Sequence, residues 1–236
     1  EKIYPASLTK IMTAIVAIEN LPDLDEQIYL SEDMFEKLYS ENASMAGFLP
    51  NEKVAAIDLI YGALLPSGAE SCIGLADAIA GSEKSFVKLM NEKAEELGMN
   101  DTHFTNSTGL HDRNHYTTVN DIAKLLKYAL QNDIFREVYT SKRHTTKATN
   151  LRSDGITFQS TMFRKMKTDN VNNGTIKGGK TGYTGEAKLC LASLAEIDGK
   201  EYILVTANAD ISTYTEQFKI LEAFNVYTQE SKTNAC

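Results

Sequence analysis

The sequence predicts an α+β fold, and three observations carry the prediction. Through the first two thirds of the chain, apolar residues recur at helical spacing in one segment after another. Near residue 150 that periodicity gives way to turn chemistry rich in Asn, Asp and Gly. Beyond it, two β-prone runs flank Asp198-Gly199, a dipeptide favoured at the tip of a two-residue hairpin. Helices first and an antiparallel sheet last is the α+β order. With 236 residues, 42% of them hydrophobic, and only 14 Gly and 4 Pro, the chain is long enough to bury a substantial core. It reads as one unit, with a helix-rich lobe over about 7–150 and a second part over about 151–228.

In chain order, Leu8, Ile11, Met12, Ile15, Val16 and Ile18 mark a buried helix over 8–19, with Pro5 just upstream where a helix can begin. Further helical patterns follow at about 32–40, at 53–65, at about 70–80, at about 84–97 and at 120–131. The stretches "NLRSDGITFQSTMF" and "DNVNNGTIKGGKTGYTG" then carry turn signals. "KLCLASLAEI" and "EYILVTANA" predict a hairpin over 188–208, with Lys180-Thr181-Gly182 on the strand before it. Phe218, Ile220, Leu221, Phe224 and Val226 predict a closing amphipathic helix.

The formal charge of -8, from 32 acidic against 24 basic residues with no basic run, excludes a nucleic-acid surface. No apolar run approaches the roughly 18 residues that span a bilayer, so no membrane anchor is visible in this chain. The start at "EKIYPAS" leaves almost no lead-in, as in a processed chain or a piece of a longer one. Cys72, Cys190 and Cys236 lack CxxC spacing and read as free thiols, with Cys72 a small core residue on a helix leading away from the chemistry described next. His111 and His115 lack an HExxH pattern and read as solvated loop histidines, so neither metal nor cofactor is expected.

The chemistry begins in "YPASLTKIMTA", where Ser7 and Lys10 lie three apart and therefore on one helix face. A serine hydroxyl is a poor nucleophile until something accepts its proton, and a lysine whose pKa is lowered by burial can do so. Backbone N–H groups at the helix start lie near for a developing oxyanion. Ser-x-x-Lys alone is common by chance, and Ser7 alone would suit a helix cap. Two further stretches change the balance: "LLPSGAES", with Ser67, and "GGKTGYTGEA", with Lys180-Thr181-Gly182. Between them they offer a proton relay, a positive field, a donor for a substrate carboxylate and a glycine that lets a substrate backbone approach a strand.

These stretches, together with "MNEKAEELGMNDTHFTNSTGLHD", resemble the serine D-alanyl-D-alanine carboxypeptidases of the low-molecular-weight penicillin-binding protein family over nearly the whole chain. The resemblance implies a penicillin-binding/β-lactamase-like fold, a helical lobe plus an antiparallel sheet with flanking helices. It implies acyl-enzyme chemistry on peptidoglycan stem peptides ending in D-Ala-D-Ala, outside the cytoplasmic membrane, and inhibition by β-lactams. One or two strands normally precede the Ser-x-x-Lys helix in that family, and a C-terminal β-rich domain and anchor are frequent; none is visible here. By the same resemblance Ser7 is the nucleophile, Lys10 its base, Ser67 a catalytic relay, and the Ser7 and Tyr183 backbone N–H groups the oxyanion hole. Lys180, Thr181, Gly182 and Arg164 then bind substrate.

One departure stands out. The family's Ser-Gly-Asn is here Ser67-Gly68-Ala69, followed by Glu70, and alanine lacks the amide hydrogen bonds of asparagine. Substrate is then held differently, or Glu70 or a water takes up the role, or turnover is slower; Glu70 otherwise reads as an exposed or helix-start charge. "EELGMN" superficially resembles the loop that carries the deacylating glutamate of class A β-lactamases, but its helix-end context makes Glu96 a solvated helix residue. The alternatives to a carboxypeptidase are a β-lactamase, a transpeptidase, or a β-lactam- or muropeptide-binding protein without turnover.

Overall fold

The computed structural model describes residues 1–209, 223 and 225–229. A single turn of 3-10 helix, Ala6–Leu8, runs directly into α1 (Thr9–Asn20). There follow β1 (Gln27–Tyr29), α2 (Glu32–Ser40), β2 (Lys53–Ala55), α3 (Ala56–Leu64), α4 (Ala69–Ala80), α5 (Glu83–Glu96), α6 (Val119–Ala129) and α7 (Asp133–Thr140). After β3 (Arg143–Thr145) and β4 (Thr157–Gln159) come β5 (Asn170–Val171), β6 (Gly174–Thr184), β7 (Lys188–Ile197) and β8 (Lys200–Ala209). The last four form one antiparallel sheet in the order β5-β6-β7-β8; β1-β2 and β3-β4 are separate antiparallel pairs.

α1 is apolar nearly all round because it is buried nearly all round: every residue from Thr9 to Ile18 is buried, as expected of a central helix. One continuous core joins it to Leu59, Leu75, Phe86 and Leu125 of the surrounding helices and to Cys190, Ala192 and Leu194 of β7. Leu191, Ala195 and Ile197 point the other way, as the two-residue period of a strand requires, and meet Met162, Ala223 and Tyr227. Burial on both faces is why "KLCLASLAEI" reads as a continuous apolar run.

The hairpin forms as the sequence predicts. Asp198 and Gly199 both take positive φ, 50° and 73°, the signature of the type I′ turn that matches strand twist. Lys180-Thr181-Gly182 lies on β6. Helix starts follow their caps: the Ser82 and Thr118 side chains accept from the N–H of Ser85 (3.2 Å) and Asp121 (3.1 Å). Two elements differ from expectation. The predicted helix at 53–65 begins only at Ala56, because residues 53–55 pair with β1, and the buried Val54 satisfies either period. The eight-residue α7, capped by Asn132, is too short to register as a periodic segment. Of the closing helix, Ala223 and residues 225–229 are helical; Phe218, Ile220, Leu221 and Phe224, like Cys236, lie outside the described residues. Among the described residues, no helix is long and apolar enough to cross a membrane.

Candidate active site

Ser7 sits in the 3-10 turn rather than in α1 itself, and the backbone before it is bent to place it. Ala6 has φ 47°, a left-handed conformation that costs a non-glycine residue on the order of 1 kcal/mol or more. A chain of hydrogen bonds holds it there. The Thr9 hydroxyl donates to the Ala6 carbonyl at 2.8 Å and lies 2.8 Å from His115 Nε2. His115 Nδ1 accepts from the Thr105 N–H at 3.0 Å, so the ring proton is on Nε2 and is donated to Thr9. Gly109 covers the same carbonyl: it has φ 82°, and a Cβ there would lie 1.9 Å from the Ala6 oxygen. His115 is therefore not a solvated loop residue. It is 2% exposed, and burial pushes its pKa down to about 4, so it stays neutral.

Lys10 lies one turn on, 2% exposed, with Nζ 3.0 Å from Ser7 Oγ and 2.6 Å from the Thr108 carbonyl. Burial holds its pKa below the ordinary lysine value, against the raising influence of Cys72 and Glu70. The N–H given to the Thr108 carbonyl fixes the direction of the amine and keeps Nζ against the Ser7 hydroxyl. Nothing in the spacing of Ser-x-x-Lys signalled Thr108, whose contact spans 98 residues.

The second serine–lysine pair comes from two distant segments. Lys180 on β6, fully buried, donates to Ser67 Oγ at 2.8 Å and to the Thr181 carbonyl at 2.9 Å. Ser67 has φ 73°, held by the turn that leads into α4. Thr181 shares a 2.7 Å hydroxyl contact with Thr161, which sits just before the 3-10 turn Phe163–Lys165 carrying Arg164. A Cβ on Gly182 would lie 3.1 Å from the Ser7 nitrogen, so glycine lets β6 press against the Ser7 turn.

These residues face one cleft in two halves that meet at Ser7, Ser44 and Tyr183. One half, a cavity of about 720 Å³, is lined by Ser67, Thr181, Gly182 and Arg164. The other, about 460 Å³, is lined by Lys10, Ala69, Asn42, Thr108 and His111. His111, part-exposed, also stands edge-on to Tyr4 with ring centroids 4.7 Å apart. All the sequence-predicted site residues except Lys180 and Glu70 thus line the cleft; Lys180 reaches it through Ser67.

Glu70 is neither exposed nor in the cleft. It is fully buried at the first turn of α4, and its Oε1 accepts from the N–H groups of Ala46 (2.7 Å), Gly47 (2.8 Å) and Phe48 (3.3 Å). Burial raises its pKa, with the same backbone hydrogen bonds opposing. Its place is to fasten the segment that forms a wall of the cleft, a task shared by the Ala69 N–H, which donates to the Ser44 carbonyl at 2.8 Å. Cys72 is a buried core residue on α4 as expected, with its pKa raised by burial to about 12. Glu96 is a surface residue paired with Lys93 at 2.6 Å. No cluster of three or more metal-ligating side chains occurs among the described residues.

The helical core, the antiparallel sheet and the two serine–lysine pairs are those of the penicillin-binding fold. A family model described as D-alanyl-D-alanine carboxypeptidase matches residues 1–211, and the chain belongs to that family. It is 35% identical over 218 residues to a D-alanyl-D-alanine carboxypeptidase of Bacillus subtilis, covering 89% of this chain and 52% of the relative. It is 33% identical over 211 residues to one of a Streptomyces species, covering 84% of this chain and 69% of the relative. The chain thus spans about half the length of the Bacillus relative. The crystal structure of a Streptomyces DD-transpeptidase superposes with a TM-score of 0.79 at 29% identity, covering 96% of this chain and 89% of that one.

Proposed function

We propose that this chain is a serine D-alanyl-D-alanine carboxypeptidase, one catalytic unit over residues 1–236, that removes the terminal D-Ala from peptidoglycan stem peptides through an acyl-enzyme on Ser7. The observation that carries the reading is the buried Lys10 amine, its pKa lowered, 3.0 Å from Ser7 Oγ. Such an amine takes the serine proton as Oγ attacks the penultimate D-Ala carbonyl. The Ser7 and Tyr183 N–H groups stabilise the oxyanion. As the C–N bond breaks, the Ser67 hydroxyl, polarised by Lys180, passes a proton to the leaving nitrogen. Thr181 and Arg164 hold the terminal carboxylate, and Gly182 gives the substrate backbone room beside β6. Water then hydrolyses the ester and restores Ser7. Because stem peptides lie outside the cytoplasmic membrane, the protein works in the cell envelope, and β-lactams acylate the same serine.

A second reading, transpeptidation, is favoured by the likeness to the Streptomyces DD-transpeptidase; it shares the acyl-enzyme and differs only in whether water or an amine ends it. Incubation with penicillin followed by intact-mass analysis should show one covalent equivalent, mapped to residues 1–10. Steady release of D-alanine from a D-Ala-D-Ala peptide separates a hydrolase from a binding protein, and adding an amine acceptor reports transfer. A label on Ser67, or none on folded protein, overturns the assignment.

A further inference from the structure

A polar cluster behind the cleft has no part in the chemistry described above. Asp58 on α3 is 2% exposed; its Oδ1 lies 2.6 Å from His144 Nε2, and its Oδ2 accepts from the Lys147 N–H at 2.9 Å. The His144 ring also stacks on Tyr61, one turn further along α3, with centroids 3.6 Å apart and planes within 1°. A buried carboxylate is costly unless it is bonded, so this contact holds His144 firmly against the helix. His144 is the middle residue of β3, and neighbouring side chains of a strand point to opposite faces. Pinning His144 inward therefore turns Arg143 outward. What it meets there is the larger half of the cleft, which Arg143 lines together with Gln159, its partner across the β3-β4 pair.

Arg164 lines the same half, and the backbone ties the two arginines together. The Ser160 N–H donates to the Lys142 carbonyl at 2.9 Å, and the Arg164 N–H donates to the Ser160 carbonyl at 3.0 Å, so the 3-10 turn that carries Arg164 hangs from β3 itself. Among the described residues no acid pairs with Arg143, and none lines this half of the cleft. An exposed guanidinium acting alone on a carboxylate contributes little, because water screens it and its long side chain must be ordered. A second fork of donors, on a strand already fixed from behind, adds a charge-assisted bond with less ordering left to do.

We propose that Arg143 joins Thr181 and Arg164 in holding the carboxylate of the acyl donor, and that the Asp58–His144 pair is the positioning unit that aims it. The inference rests on the reading of Ser7 as the acylated residue and of this half of the cleft as the carboxylate's place. Arg143 is a binding residue in this account. His144 and Asp58 touch no substrate and act only through the direction they give to β3.

The test compares penicillin with its methyl ester, two acyl donors that differ only in the carboxylate, and reads the rate of Ser7 labelling by intact mass. The wild-type protein should label faster with the free acid. Arg143→Gln should lower the acid-to-ester ratio about tenfold, on the scale of one charge-assisted hydrogen bond. His144→Phe keeps a ring for Tyr61 but loses the bond to Asp58, and it should lower the ratio about threefold. A merely structural role would slow both compounds alike and leave the ratio where it was. Circular dichroism checks folding, and Asp58→Asn replaces His144→Phe should that variant not fold. A wild-type ratio in Arg143→Gln, or in the folded variant of the pair, overturns the proposal. A ratio of one in wild-type protein that penicillin still labels on Ser7 overturns this inference alone, whereas absence of that label overturns the functional reading beneath it.

Discussion

The molecule holds two serine–lysine pairs at nearly the same distance, 3.0 Å for Ser7 with Lys10 and 2.8 Å for Ser67 with Lys180, and they are not equivalent. The first is local, one helical turn, and its lysine is oriented by a carbonyl from a remote loop. The second spans 113 residues, and its lysine is tied back to the carbonyl of its own neighbour, Thr181. Contact with serine therefore does not define a base. Lys10, buried and with a lowered pKa, suits proton acceptance from Ser7, whereas Lys180, held by Ser67 Oγ and the Thr181 carbonyl, is placed to act through Ser67.

Removing each lysine breaks the comparison most sharply. Lys10→Ala should slow penicillin acylation of Ser7 by about 10,000-fold, the scale of losing a member of a catalytic triad. Lys180→Ala should cost on the order of 100-fold, as for one stabilising group. Time-resolved intact mass reads both, and equal losses would erase the distinction drawn here. A pH profile sharpens it: acylation should rise along a limb below the ordinary lysine pKa of 10.5, because the amine must be neutral. That limb should persist in Ser67→Ala, and its disappearance there would move the base to the second pair.

The support beneath Ser7 supplies a stability effect of up to about 3 kcal/mol. His115 has its folded pKa lowered to about 4 from 6.5, so between these values the unfolded chain binds the proton that the folded chain does not. Stability is therefore full above about pH 6.5 and declines as pH falls towards about 4. Urea titrations should show this slope reduced in His115→Gln; an unchanged slope would assign it elsewhere. The smallest effects concern the start of α4. Ala69→Asn places an amide in the half of the cleft that Lys10 and Asn42 line and should speed acylation by about tenfold. Glu70→Gln keeps an oxygen for the Ala46–Phe48 amides and should change the rate less than about threefold. Loss of acylation in Glu70→Gln would place Glu70 in the chemistry instead of beneath it.

Much of this molecule was legible because it is local. The buried α1 and the Asp198-Gly199 turn each follow from a few neighbouring residues, and Ser7 and Lys10 share a face by helical pitch alone. Other features left no local trace. Val54 fits a strand or a helix equally, and only β1 as a neighbour made residues 53–55 a strand. His115 and Glu70 are polar residues whose side chains look solvated until the fold surrounds them. Once buried, each must find partners, and the partners lie 106 residues away for Thr9 and 24 for Ala46.

By itself, then, the sequence determined which side chains could do acyl-transfer chemistry and the helices, hairpin and turns that carry them, since propensity, capping and side-chain period act over short range. Only the tertiary structure decided their roles. Burial lowered the Lys10 pKa, Thr108 aimed its amine, Thr9 and His115 held the Ala6 carbonyl, and β6 brought Lys180 to Ser67. Desolvation and long-range hydrogen bonding depend on what the fold places around a group, and the identity of that group does not encode its surroundings.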